Sequence, residues 1–96
     1  MAHVEYAAAA RGDLLRLVEF LMQAGAGHPE RMVDDVTHAI ETLVRHPKIG
    51  RPLYSGLREL VISYGATGYL ALYDYSLVYD DVLILRIRHQ RESGYH

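Results

Sequence analysis

The sequence predicts an α+β fold in which a helical hairpin packs on one face of an antiparallel sheet. Two stretches between residues 7 and 46 carry apolar residues at the spacing of an α-helix, and three strand-like segments follow between residues 57 and 89. A short candidate strand, His3–Tyr6, precedes the helices. The predicted element order is therefore β-α-α-β-β-β, within one domain that spans residues 1–96.

Both predicted helices have clear ends. The first spans Ala7–Ala24 and stops where two glycines follow within three residues. The second begins at Pro29 and stops at Pro47, because proline suits the first helical turn but cannot continue a helix. Since only about five residues join these amphipathic helices, we expect them to pack side by side as an antiparallel hairpin.

The three later strands are predicted at Leu57–Tyr64, Tyr69–Tyr75 and Val82–His89, and a loop rich in glycine and proline, residues 48–56, precedes them. Side chains alternate between the two faces of a strand. In the last strand this alternation predicts that one set of side chains faces the helices, namely Leu83, Leu85 and Ile87. The opposite face is predicted to carry Val82, Ile84, Arg86 and Arg88.

Composition excludes several classes of protein. There is no cysteine, so neither a disulfide framework nor a thiolate zinc site is possible, and the six histidines are scattered along the chain. We therefore expect no metal and no cofactor. The N-terminal residues lack the features of a secretory signal, and no apolar run approaches the roughly 18 residues that span a bilayer. These observations predict a cytoplasmic protein.

Basic side chains are concentrated in the second half of a chain whose net charge is −2. Residues 45–96 hold seven of the ten lysines and arginines, and Arg86, Arg88, His89 and Arg91 lie within six residues at the end of the last strand. The guanidinium group grips carboxylates in two places, so these arginines are candidate contacts for an acidic partner. Alternatively, Arg86 and Arg88 form a solvated strand face that pairs with acidic residues across the sheet, the candidates being Glu59 and Asp74.

Four segments together resemble the RelE/ParE superfamily of bacterial toxins, and they most resemble its ParE, or plasmid-stabilisation, branch. They are His46-Pro-Lys-Ile-Gly-Arg-Pro52, Leu57-Arg-Glu-Leu60, Gly68-Tyr-Leu-Ala-Leu-Tyr73 and Val82-Leu-Ile-Leu-Arg-Ile-Arg-His89. The resemblance implies a small cytoplasmic toxin that a cognate antitoxin binds and neutralises, in a complex that could be a heterotetramer. The lack of a long apolar run predicts that the chain does not associate with a membrane.

The resemblance leaves two activities open. ParE-like members poison DNA gyrase, whereas RelE-like members cleave messenger RNA on the ribosome. The residues that could support cleavage here are Arg58, His89, Arg91 and Tyr95. However, RelE-like nucleases commonly carry an arginine where this chain has Leu70, and they are usually strongly basic, whereas this chain has a pI near 6.3. We therefore expect a toxin that binds gyrase, with an mRNA endonuclease or a non-toxic antitoxin-binding protein as the alternatives.

The predicted contact surface consists mainly of cationic and tyrosine side chains of the sheet and the C-terminal segment. Its members are Arg51, Arg58, Tyr73, Arg86, Arg88, Arg91 and Tyr95. We expect the antitoxin to lay an amphipathic helix against the helical hairpin, with acidic contacts to Arg86 and Arg88.

Overall fold

The computed structural model describes residues 1–64 and 67–92. Its elements are β1 (His3–Tyr6), α1 (Ala8–Gln23), α2 (Glu30–Glu41), β2 (Arg51–Pro52), β3 (Arg58–Tyr64), β4 (Thr67–Ser76) and β5 (Asp81–His89). The α+β class is confirmed, and so is the predicted element order apart from the two-residue strand β2. No helix in the described part of the chain is both long and apolar enough to cross a membrane.

The sheet has five strands in the order β1-β5-β4-β3-β2. Strands β3, β4 and β5 form an antiparallel meander, and β2 pairs antiparallel with the start of β3. β1 differs from the prediction because it pairs in parallel with β5, from His3 opposite Asp81 to Tyr6 opposite Ile84. The sheet is therefore mixed, and the helices together with the meander serve as the long connection that parallel pairing requires.

The core lies between the sheet and the helical hairpin, with α1 packed on β5 and α2 packed on β3. Helix α2 contributes Met32, Val36 and Ile40, all essentially inaccessible to solvent. Tyr73 from β4 and Ile84 from β5 are buried in the same cluster. This arrangement confirms the predicted helical layer on one face of the sheet.

The predicted faces of β5 are correct for Ile87 but wrong for Val82, Leu83 and Ile84, because the strand contains a bulge. Ile84 pairs with Tyr73 and Arg86 pairs with Leu72, so Leu85 has no opposite residue on β4. One extra residue reverses the alternation of side chains along a strand. As a result Val82, Ile84 and Ile87 are all buried in the core, whereas Leu83, expected to meet the helices, is 39% exposed.

Candidate binding site

A groove of about 360 Å³ lies where the end of β5 meets the C-terminal half of α1. We call it the terminal groove, and its lining residues are Arg16, Leu17, Phe20, Leu21, Tyr69, His89, Arg91 and Glu92. Leu17 and Tyr69 are buried core residues, whereas Phe20 is 65% exposed. The terminal groove therefore combines an apolar lining with cationic, acidic and imidazole groups.

His89 is held in the terminal groove by contacts on two sides. It pairs with Tyr69 across the strands, and the two rings meet edge to face with their centroids 5.3 Å apart. The backbone N–H of Arg91 donates a hydrogen bond of 3.0 Å to Nδ1 of His89. Because Nδ1 is engaged in this way, contact with a ligand would fall to Nε2.

Glu92 connects the segment after β5 to helix α1 through hydrogen bonds. Its carboxylate accepts hydrogen bonds from both terminal nitrogens of Arg16, one of them at 3.3 Å, and from the backbone N–H of His89 at 3.1 Å. The side chain of Arg88 donates to the backbone carbonyl of Glu92 at 2.6 Å. The hydrogen bond to Glu92 also raises the pKa of Arg16. These bonds hold residues 89–92 against α1 on one side of the terminal groove.

Asp13 of α1 binds the exposed edge of β5, which extends beyond its partner β1. Its carboxylate accepts two hydrogen bonds from Arg86, at 2.8 and 3.0 Å, and a third from the backbone N–H of Ile87 at 2.9 Å. Burial alone would raise the pKa of Asp13, but the bonds from Arg86 and Ile87 outweigh that effect and lower it. Asp13 thus takes the place of a strand carbonyl at the point where β1 has ended.

The Asp13 contact changes the interpretation of Arg86. The sequence suggested a partner contact or a cross-strand pair with Glu59 or Asp74, but Arg86 is instead fixed to α1, and its side chain is 27% exposed. Arg88 likewise donates to the backbone carbonyls of residues 89, 90 and 92. The open cationic face expected on β5 is therefore wrong for Arg86, because helix α1 supplies a buried carboxylate.

Three other predicted contact residues stabilise the loop before β3. Arg51 binds the buried carboxylate of Glu59, with Nε at 2.9 Å from Oε1. Arg58 donates to the carbonyl oxygens of Lys48 and Gly50, at 3.0 and 2.8 Å. Both arginines therefore have roles within the fold.

Tyr73 supports the same loop from inside the core. Its hydroxyl donates to the carbonyl of Pro47 and accepts from the N–H of Gly50, each at 2.8 Å. Burial raises the pKa of Tyr73, although the Gly50 N–H and Arg58 oppose that rise, so the hydroxyl keeps the proton that it donates. Tyr73 has no exposed surface, and this burial removes it from the set of candidate partner contacts.

The structure brings together only part of the predicted nuclease set. His89 and Arg91 share the terminal groove, but Arg58 pairs with Tyr73, which lies four residues along β4 from the partner of His89. At roughly 3.3 Å per residue this places Arg58 about 13 Å along the sheet from His89. Tyr95 lies outside the described residues.

Sequence reasoning missed three residues of this region, Asp13, Arg16 and Phe20. Asp13 left a signal, since it stands at helical spacing between Ala10 and Leu17, which are buried, and is itself only 4% exposed. Phe20 also left one, because it is the single phenylalanine of the chain and lies two helical turns after Asp13, on the same side of α1. The sequence pattern around Arg16 gives no sign that this residue belongs to the terminal groove.

Other parts of the described surface carry fewer features of a binding site. A shallow depression of about 590 Å³ lies against β1 and the helices, beside Tyr6 and Arg11, and holds none of the predicted site residues. Burial, followed by the nearby charge of Glu41, raises the pKa of Tyr6 to about 12. Within residues 1–64 and 67–92 no cluster of three or more histidine, aspartate and glutamate side chains could hold a metal ion.

Solved structures of toxin–antitoxin systems share this architecture. The chain superposes on one from the chromosomal ParDE system of P. aeruginosa with a TM-score of 0.71 and 20% sequence identity, covering 93% of this chain and 96% of that one. It superposes on one from the toxin–antitoxin complex RelBE2 of Mycobacterium tuberculosis with a TM-score of 0.59 and 27% identity, covering 93% and 98%. The fold is that of the ParE and RelE class.

Sequence comparison assigns the family within that class. A family model described as the ParE toxin of the type II toxin–antitoxin system parDE matches residues 4–94. The chain is also 36% identical over 92 residues to Toxin RelE3 of Caulobacter vibrioides, covering 96% of this chain and 98% of that protein. This chain therefore belongs to the ParE toxin family of type II toxin–antitoxin systems.

Proposed function

We propose that this toxin acts by binding and inhibiting DNA gyrase, and that a cognate antitoxin neutralises it. The observation that carries the proposal is the separation of the candidate catalytic groups, since Arg58 bonds to loop carbonyls about 13 Å along the sheet from His89. RNA cleavage needs cations and acid–base groups around one phosphate. A dispersed set favours a toxin that acts by contact, as ParE-like members do.

The charge of the chain supports the same proposal. Arg16, Arg51 and Arg86 each pair with a carboxylate of the chain itself, so much of their charge is already compensated. A nuclease that works on the ribosome has to bind RNA, for which uncompensated cations supply most of the affinity. A net charge of −2 is better suited to a protein target.

Purified gyrase and supercoiled DNA test the proposal directly. We expect the folded chain to inhibit supercoiling and to trap gyrase on cleaved DNA, seen as linear plasmid after the enzyme is digested. The matched control is the chain incubated beforehand with the protein encoded by a neighbouring antitoxin frame, which should abolish the effect. A folded sample that leaves gyrase unaffected at a large molar excess would exclude gyrase as the target.

The terminal groove is the proposed binding site of the antitoxin. Phe20 on α1 lines the groove and is 65% exposed, and Arg91 is exposed on the same groove. This combination fits an amphipathic helix that places apolar side chains in the groove and a carboxylate on Arg91. An acidic contact to Arg86 would first have to displace Asp13, so Arg91 is the better partner for it.

Substitutions in the terminal groove test whether the antitoxin binds there. We expect Phe20→Asp and Arg91→Glu each to weaken antitoxin binding by about tenfold or more, the loss of one favourable contact at an interface core. Tyr54→Asp is the control, because Tyr54 is 94% exposed and lies outside the groove. Unchanged affinity in both groove variants would move the antitoxin elsewhere. Light scattering of the complex would give its stoichiometry, including the heterotetramer predicted from the family.

A ribosome-dependent mRNA endonuclease is the second candidate. It is favoured by the position of His89 beside Arg91 in the terminal groove, and by the name of the relative Toxin RelE3. Mapping of transcript ends in cells that express the chain separates the two activities. New ends within translated codons, absent with Arg91→Ala, would favour cleavage. Expression without any growth arrest would point to the third alternative, a non-toxic antitoxin-binding protein.

A further inference from the structure

The turn between β4 and β5 carries three consecutive large apolar side chains in solvent. Leu77 is 70% exposed, Val78 is 86% exposed and Tyr79 is 77% exposed. Short hairpin connections favour glycine, asparagine, aspartate and serine, so the turn itself has no need of apolar residues here. A run of three exposed apolar residues is unfavourable in a soluble domain unless it binds something.

Polar contacts at the base of the turn fix its backbone. The backbone N–H of Tyr79 donates to Oγ of Ser76 at 3.2 Å. Asp80 has a φ of 53°, its carboxylate accepts the hydroxyl proton of Tyr75 at 2.7 Å, and its carbonyl accepts the N–H of His3 at 3.0 Å. The turn is therefore ordered before it meets a partner, which reduces the conformational entropy lost on binding.

The surroundings of the turn are acidic. Residues 74–85 contain three aspartates and neither lysine nor arginine. Asp74 and Asp81 are exposed, whereas the carboxylate of Asp80 pairs with the N-terminal ammonium group at 3.7 Å. Such a surface repels the phosphates of nucleic acids and of anionic lipids. It suits a protein whose apolar pocket is surrounded by lysine and arginine.

We infer that this turn is the surface through which the chain binds its protein target, with Leu77, Val78 and Tyr79 entering an apolar pocket that has a basic rim. The inference rests on the proposed function, a toxin that acts by contact. Seven residues of β4 separate the Ser76–Asp81 pair at the turn from the Tyr69–His89 pair at the terminal groove. This spacing is about 23 Å, so the two surfaces are distinct.

A triple variant tests the turn, Leu77→Ser with Val78→Ser and Tyr79→Ser. The matched control is Ile49→Ser with Tyr54→Ser, which removes apolar side chains that are 58% and 94% exposed outside the turn. Each protein is expressed without antitoxin to score growth arrest, and is titrated against immobilised purified gyrase. Thermal unfolding checks that each variant is folded, and we expect little change because the substituted side chains are exposed.

We expect the turn variant to lose growth arrest and to bind gyrase about 100-fold more weakly or worse, as the loss of several anchors predicts. The control should behave as the wild type does. A turn variant that retains growth arrest would overturn the inference. Growth arrest that depends on the turn, from a wild type that does not bind gyrase, would support the inference and reject gyrase as the target. If the wild-type chain causes no growth arrest, both the inference about the turn and the proposed toxin function would be overturned.

Charge reversal tests the predicted basic rim independently. Asp74→Lys with Asp81→Lys should weaken binding, and the remaining affinity should no longer fall as salt is added. Vesicles of phosphatidylcholine are the probe for a lipid surface. Binding of the wild type to those vesicles, lost in the turn variant, would overturn the inference in favour of a membrane contact.

Discussion

Replacing Asp13 by alanine should destabilise the fold more than any other change of a charged residue in α1. The substitution removes the acceptor of three hydrogen bonds, two from Arg86 and one from the backbone N–H of Ile87. Breaking a buried ion pair typically costs 3–5 kcal/mol, because the remaining charge is left without its partner. The Arg86 side chain is 27% exposed and can reach water, so we expect a loss near the lower limit, about 3 kcal/mol.

Thermal and urea unfolding measure this loss. In a domain of this size about 3 kcal/mol corresponds to a fall in Tm of roughly 12–24 °C. Asp13→Asn keeps one carbonyl oxygen as an acceptor and should lose only about 1–2 kcal/mol. Asp35→Ala is the matched control, since Asp35 is exposed on α2 and its removal should change stability by less than about 0.5 kcal/mol.

The pH dependence of stability gives a second readout of the same contact. The pKa of Asp13 is lower in the folded protein than in the unfolded chain. The ionised carboxylate therefore stabilises the fold fully above about pH 4, and that contribution disappears as the pH falls through the lowered folded pKa. The difference in stability between wild type and Asp13→Asn should shrink below about pH 4. An Asp13→Ala protein within about 1 kcal/mol of wild type at pH 7 would refute the role assigned to this carboxylate.

Three further substitutions have definite expected outcomes. Gly50→Ala would place Cβ 2.5 Å from the hydroxyl oxygen of Tyr73, so the ring must shift, and we expect a loss of about 1–3 kcal/mol in urea unfolding. Tyr73→Phe leaves the Pro47 carbonyl and the Gly50 N–H without their partner, which should cost about 1–3 kcal/mol and speed hydrogen exchange at Gly50. Arg16→Ala removes a half-exposed partner of Glu92 and should change global stability by less than about 1 kcal/mol, while lowering exchange protection of the amides that follow β5. Wild-type behaviour in any of the three would contradict the contact concerned.

Local patterns were sufficient to predict most of the fold. Helical spacing and the prolines and glycines around it predicted both helices to within one or two residues at most ends, and the same is true of the strands. The parallel pairing of β1 was missed because the sequence His3–Tyr6 is equally compatible with either direction of pairing. The two-residue strand β2 is too short to leave any periodic signal.

The prediction of which β5 side chains face the helices was partly wrong for a different reason. Four of the first five residues of this strand after Asp81 are apolar, Val82, Leu83, Ile84 and Leu85, so composition did not reveal which of them face the helices. Strict alternation was the only available rule, and the bulge at Leu85 breaks it in mid-strand. A bulge depends on how β5 matches the opposite strand, which no pattern within β5 itself encodes.

The candidate site was the least predictable part, because it depends on contacts between residues far apart in the chain. Arg86 and Asp13 are separated by 73 positions, and Arg16 and Glu92 by 76. Every charged residue was visible in the sequence, but one member of each pair lies on α1, whose rotation about its own axis decides whether the two can meet. The arginine-rich strand end therefore looked like an open surface, whereas Arg86 fixes α1 to the sheet and Arg88 binds backbone carbonyls after β5. Within the described residues, the exposed groups outside these contacts include Arg91 at the terminal groove and, at the opposite end of the same hairpin, an apolar turn that charge patterns do not reveal.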